Sequence, residues 1–93
     1  MNTIKLNTYG SILTGREFGK HVLMSLISKM KYPLAFDFQG VISMGSSFGD
    51  EVIPYVAHKQ NEEIIIYNAN KSIWDVLNEI AEEFNIKFVK GTY

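Results

Sequence analysis

Two apolar runs limit what this chain can become, "PLAFDF" at residues 33–38 and "EIIIY" at 63–67. The first is nearly all apolar, as a strand covered on both faces is, and the second is the clearest strand in the chain. The segments around them repeat at a helical period. Phe18, Val22, Leu26 and Met30 fall four apart, with Leu23 and Ile27 beside them. Phe48, Val52 and Val56 form a second stripe, and Ile73, Leu77, Ile80 and Phe84, with Ala81, a third. "IKFV" at 86–89 reads as one more strand. Strands that alternate with amphipathic helices need crossover connections, and crossovers make a sheet largely parallel. The expected class is α/β, with right-handed crossovers and three helices.

At the N-terminus, "TIKL" (Thr3 to Leu6) alternates as a strand does, and "SIL" (Ser11 to Leu13) is its expected partner across a turn at 7–10. That hairpin would add an antiparallel edge and make the sheet mixed. Three pairs have the spacing of a capping box: Thr14 with Glu17, Ser47 with Asp50, and Ser72 with Asp75. In each, a hydroxyl can accept from one of the unpaired N–H groups of a first helical turn. Lys29 and Lys31 are expected near the negative end of the first helix, with Tyr32-Pro33 as its stop. Pro54 conflicts with the middle helix, because an interior proline offers no N–H and clashes with the carbonyl four residues back, that of Asp50. Either the helix is kinked there or it restarts near Pro54.

Ninety-three residues, 46% hydrophobic and 20% charged, suit a single domain spanning 1–93 rather than a disordered chain. Cysteine is absent, which removes disulfides, thiolate metal sites and a cysteine nucleophile. The formal charge is −1, and no basic cluster is longer than Lys29 to Lys31, so a phosphate-neutralising nucleic-acid face is not expected. No apolar run is long enough to span a bilayer, and "MNTIKLNTYG" does not read as a signal peptide. These features set the expectation of a small cytoplasmic protein without membrane contact.

Few residues suggest catalysis. His21 and His58 lack a second ligand at helical spacing, so no metal site is expected. Phosphate-loop and nucleophile-elbow patterns are missing, and the acidic pairs Asp50-Glu51, Glu62-Glu63 and Glu82-Glu83 are adjacent rather than facing. Trp74 stands off its helix stripe, as a partly buried residue at the edge of the core does. The stretch "DFQGVISMGSSFGDE" at 37–51 remains. It leaves the C-terminal end of a central strand and enters a helix, where sites gather in open α/β sheets and where positive potential suits an anion or a phosphorylated serine. A structural cap by Ser47 explains the same residues, and both readings stay open at this point.

"GSILTGREFGK" followed by "AFDFQGVISMGSSFGDE" resembles the STAS-like domain family of unknown function. Members show Gly-x-x-Leu-x-Ser/Thr-Arg-Glu-x-Gly, then Asp-Phe-x-Gly-Val and Ser-Ser-Phe-x-Asp-Glu. The matching positions are Gly10, Leu13, Thr14 or Gly15, Arg16, Glu17 and Gly19, then Asp37, Phe38, Gly40, Val41, Ser46, Ser47, Phe48, Asp50 and Glu51. The family is related to the STAS domains of anti-sigma factor antagonists. That relation implies a mixed, largely parallel sheet of four or five strands with the helices mainly on one side. It also implies a non-enzymatic regulatory module of a bacterium or phage, without a cofactor. Its partner would be a protein, such as a histidine-kinase-like ATPase or an anti-sigma-type kinase. By position, Ser46 would carry a phosphate, with Ser47 next to it. The implied partner- or anion-binding set is Asp37, Gly40, Gly45, Ser46, Ser47, Phe48, Asp50 and Glu51. Gly45 stands where the antagonists have aspartate, and Phe48 where they have the glycine after the serine pair. The alternative is a module that binds a small anion or nucleotide without any phospho-switch.

Overall fold

The computed structural model describes residues 2–92. Its elements are β1 (Asn2–Lys5), a 3-10 turn (Leu6–Tyr9), β2 (Ile12–Leu13), α1 (Arg16–Ile27), β3 (Leu34–Asp37), β4 (Ser43–Met44), α2 (Ser46–His58), β5 (Glu63–Tyr67), α3 (Lys71–Phe84) and β6 (Lys87–Lys90). This is an α/β fold with three helices. The main sheet has four strands in the order β1-β3-β5-β6, and β2 and β4 form a separate two-stranded ribbon.

The expected hairpin does not form. β1 pairs in parallel with β3, from Asn2 opposite Leu34 to Lys5 opposite Asp37. β2 pairs in parallel with β4, Ile12 opposite Ser43 and Leu13 opposite Met44. The remaining pairings, β3 with β5 and β5 with β6, are parallel too, so the described strands include no antiparallel edge. The reason lies in the core. Leu6 and Leu13 are both buried, and the 3-10 turn lets each point inward. A tight hairpin would instead put β2 on the outer edge of β1 and take it away from β4, where Ile12 and Leu13 pair with Ser43 and Met44. All of β3 is buried, so its backbone groups need partners on both sides.

Strand order advances in one direction, so right-handed crossovers put all three helices on one face of the sheet. Burial agrees. Ile64 and Ile66 of β5 are buried under the helices, whereas the alternate residues Ile65 and Tyr67 are half-exposed on the other face. The core is built from Leu34 and Phe36, Ile64 and Ile66, and the helix stripes Val22 and Leu26, Phe48, Val52 and Val56, and Ile73, Leu77 and Ile80. Each such side chain contributes on the order of 1.5–3 kcal/mol of transfer free energy. Phe84 and Trp74 pack at the margin of this core, half-buried.

The helix ends differ from the capping boxes read in the sequence. α1 starts after Gly15, whose φ of +92° suits glycine, and no side chain caps it. Thr14 lies outside it, and Glu17 pairs with Lys20 instead. α1 ends at Ile27, so Lys29 and Lys31 lie beyond its last turn. α2 starts at Ser46 with Gly45 as its uncapped N-cap, which places Ser47 inside the first turn rather than ahead of it. α3 is capped two residues earlier than Ser72, by Asn70, whose Oδ1 accepts from the Ile73 amide at 2.9 Å. Asp75 pairs with Lys71 rather than reaching back. α2 runs unbroken through Pro54, which is buried, so it does not restart there.

Asn70 also holds the loop before α2, because its Nδ2 donates to the Ile42 carbonyl at 2.9 Å. Asn70→Ala is expected to lower stability by about 1 kcal/mol, the usual worth of a cap, and to loosen residues 40–44. Thermal unfolding and amide exchange of that loop check this.

Candidate functional site

The candidate site is the first turn of α2 and the loop leading to it. The loop leaves β3 at Asp37, which is buried, 2% exposed, at the C-terminal end of a central strand. Asp37 Oδ1 accepts from the Gln39 amide and from Asn68 Nδ2, both at 2.9 Å. These bonds fold the loop back and leave little of Asp37 exposed. The Val41 amide donates to the Phe38 carbonyl at 2.9 Å and closes a tight turn. Gly40 occupies that turn at φ +83°, and Asn7 lies so close that a Cβ there would stand 3.2 Å from its Nδ2. Ile42 and Gly45 amides donate to the Ser11 and Leu13 carbonyls at 2.7 and 2.8 Å, which ties the loop to β2. The loop is therefore anchored on three sides before α2 begins.

The Gly49 amide closes the first turn on the Gly45 carbonyl at 3.1 Å. Helix geometry leaves the amides of Ser46, Ser47 and Phe48 without intrahelical partners, and no side chain caps them. Both serines are exposed, whereas Phe48 and Gly49 are buried. Phe48 is a core residue, and the partner-binding role implied for its side chain does not fit its position. Gly49 packs so tightly against α3 that a Cβ there would come within 2.6 Å of Ile80 Cδ1.

The two sequence motifs meet here, through residues far apart in the chain. Arg16 Nη1 lies 3.6 Å from Glu51 Oε1. The Phe18 and Phe48 rings pack tilted, with centroids 5.6 Å apart. Gly19 faces α2 so closely that a Cβ would stand 3.0 Å from the Phe48 carbonyl oxygen and from Glu51 Cβ. Glu17 stays exposed beside this contact. The motif residues Arg16 and Gly19 thus fix where the serine-bearing turn sits.

Asp50 is half-buried in the same turn, and its Oδ1 is inaccessible to water and has no hydrogen-bond partner. Burial raises its carboxyl above the usual value of 3.8, and Glu83 and Glu51 add to the rise while Arg16 opposes it. Its backbone carbonyl also loses its helical donor, because Pro54 stands four residues on. The sign follows from linkage. A raised carboxyl favours the folded state when protonated, and that contribution is complete below 3.8 and lost as pH rises through the raised value. Asp50→Asn is therefore expected to melt higher than the parent at neutral pH, with the difference shrinking as pH falls toward 3.8. Paired thermal melts across that range check it.

Neither histidine lies in this turn. His58 ends α2, twelve positions after Ser46, roughly 18 Å along the helix at 1.5 Å per residue. Its Nδ1 meets Glu62 at 2.6 and 2.7 Å. His21 is exposed on α1. Among the described residues no group of three or more histidine, aspartate and glutamate side chains is placed to hold a metal ion, and no helix is long and apolar enough to cross a membrane.

Four contributors were not singled out in the sequence. Asn68 and Asn70 tether the loop, and the positive φ of Asn68, +60°, is the kind of strain asparagine tolerates. Ile12, in β2, and Ile42, just before β4, are 58% and 64% exposed. Exposed apolar residues so near a polar turn widen the surface a partner would meet. No family model, curated protein or solved structure matches the chain.

Proposed function

We propose that this chain is a non-enzymatic regulatory module that binds a protein partner through the first turn of α2 and the loop before it. The supporting observation is the combination at Ser46 and Ser47. Both hydroxyls are exposed, their amides are uncapped, and the turn beneath them is locked between α1 and α3. Such a surface is presented without reorganising, which lowers the entropic cost of docking. The resemblance to STAS-like domains supplies the partner class, a histidine-kinase-like ATPase or anti-sigma-type kinase, and makes Ser46 the phosphorylated residue. A phosphate there would be favoured by the helix N-terminus and would place charge at the centre of the contact. A penalty of about 2 kcal/mol at the interface is about thirtyfold in affinity.

Capture of partners from cell extract by the wild type, Ser46→Ala and Ser46→Asp tests the switch. Ser46→Ala is expected to keep the partner and Ser46→Asp to lose most of it. Equal capture by all three removes the switch.

The uncapped amides of residues 46–48 favour a second reading, a small anion or nucleotide held without phosphorylation. In a thermal-shift titration, millimolar nucleotide that leaves the melting temperature unchanged would count against it.

A further inference from the structure

A second groove lies at the opposite edge of the sheet from β6, between the outer side of β1 and the end of α1. It is a cavity of about 270 Å³ lined by Thr3, Ile4, Lys5, Thr8, Tyr9, Leu26 and Lys29. β1 is an edge strand, paired among the described residues with β3 alone. The Asn2 amide donates to the Pro33 carbonyl at 3.3 Å, and Asn2 lies opposite Leu34, which sets the phase of the ladder. Asn2 and Ile4 therefore turn their backbone groups toward β3, while the amides of Thr3 and Lys5 and the Thr3 carbonyl point outward. The floor is apolar, since Ile4 packs against the core and Leu26 is buried. The rim is basic. Lys5 and Lys29 line the groove, and Lys31, two residues after Lys29, accepts at its carbonyl from Asn2 Nδ2 at 2.8 Å. None of the three forms an ion pair among the described residues.

A lysine on an edge strand discourages edge-to-edge pairing, and that accounts for Lys5 alone. It does not account for a groove with an apolar floor beside outward N–H and C=O groups. A free strand edge facing a helix across such a groove is the geometry by which an extended peptide adds a strand, with main-chain bonds giving affinity and alternate side chains giving choice. We propose that this groove binds an extended acidic peptide segment of a partner protein. The segment pairs with the Thr3–Lys5 edge, lays an apolar side chain over Ile4 and Leu26, and sets carboxylates against Lys5 and Lys29. This surface is separate from the serine-bearing turn, and the proposal stands whether or not that turn binds a partner.

The test uses the full chain, isotopically labelled, and a short synthetic peptide of alternating glutamate and valine. Binding is expected to slow hydrogen exchange at the Thr3 and Lys5 amides and to leave the other edge, at β6, unchanged. Thr3→Pro removes the outward donor without breaking a bond to β3, a substitution that edge strands tolerate. It and Lys29→Glu are each expected to weaken binding at least about fivefold, with melting temperature as the check on folding. Lys87→Glu, on β6, is expected to bind as the parent does. The proposal is overturned if millimolar peptide leaves the Thr3 and Lys5 amides unprotected, or if folded Thr3→Pro binds as well as the parent. It is equally overturned if a single-stranded oligonucleotide protects the same amides as strongly, since the groove would then read charge alone.

Discussion

Replacing Phe48 with alanine is expected to cost about 3–5 kcal/mol, which approaches the whole stability of a domain this small. The ring is fully buried, packs against Phe18, and stands one turn before Val52 on the inner stripe of α2. Removing it opens a cavity where α1 and α2 meet, and the surrounding helices have little freedom to close it. Phe48→Leu keeps most of the volume and is expected to lose far less. Chemical denaturation of the three proteins checks this, with the midpoint falling and the slope held constant if only stability has changed. The comparison also separates two roles for the residue. If Phe48 contacted a partner directly, Phe48→Leu would keep the fold and lose the partner. A core residue gives the other result, with fold and partner kept together.

The second large effect is expected at Gly19. A Cβ at this position already stands 3.0 Å from the Phe48 carbonyl oxygen and 3.3 Å from Phe48 Cα, and these are backbone atoms that cannot rotate away. Gly19→Val adds two methyl groups beyond that Cβ and must push α1 away from α2. Overpacking of this kind costs about 1–3 kcal/mol. For a domain of this size, that is a fall in melting temperature of roughly 4–8 °C per kcal/mol. Gly19→Ala is expected to cost less, because alanine's helix propensity offsets part of the clash by about 1 kcal/mol. If Gly19→Val melts like the parent, α1 and α2 are not packed as closely as described, and the link between the two sequence motifs is lost.

Much of this architecture was legible in the residues. The strand at 63–67 coincides with β5, and the inner stripes of α2 and α3 are buried at Phe48, Val52 and Val56 and at Ile73, Leu77 and Ile80. Long periodic segments carry their own phase, so they survive being read alone. The short strands do not. β2 spans two residues and β1 four, too few to show which neighbour each will choose: β1 pairs with β3, whose buried backbone needs partners on both edges, and β2 pairs with β4. The helix caps were misread for a related reason. Hydroxyl and carboxyl residues three apart are common in any polar first turn, and the true start depends on where the preceding loop is anchored. Asn70 rather than Ser72 caps α3 because it also holds Ile42, a contact across twenty-eight residues.

The candidate site was legible as a position and not as a mechanism of support. Ser46 and Ser47 do stand exposed at a helix start, as the stretch suggested. Asp37 and Phe48, read beside them as contact residues, are buried. Arg16 and Gly19 act at a distance in sequence by fixing α1 against the serine-bearing turn. Asp50 shows the opposite tendency. A half-buried carboxyl oxygen without a partner, held next to Glu51 and Glu83, destabilises the turn at neutral pH. Local destabilisation of this kind is tolerated where a surface serves binding rather than stability.

Hydrogen exchange on the complex with a captured partner tests the central claim most directly. The expected result is slowed exchange across residues 42–51, at the exposed Ile42 and the amides of Ser46, Ser47 and Phe48, which is lost when Ser46→Asp replaces the parent. Unchanged exchange across that segment, with protection confined to the β1 edge or the outer face of α1, would contradict the account.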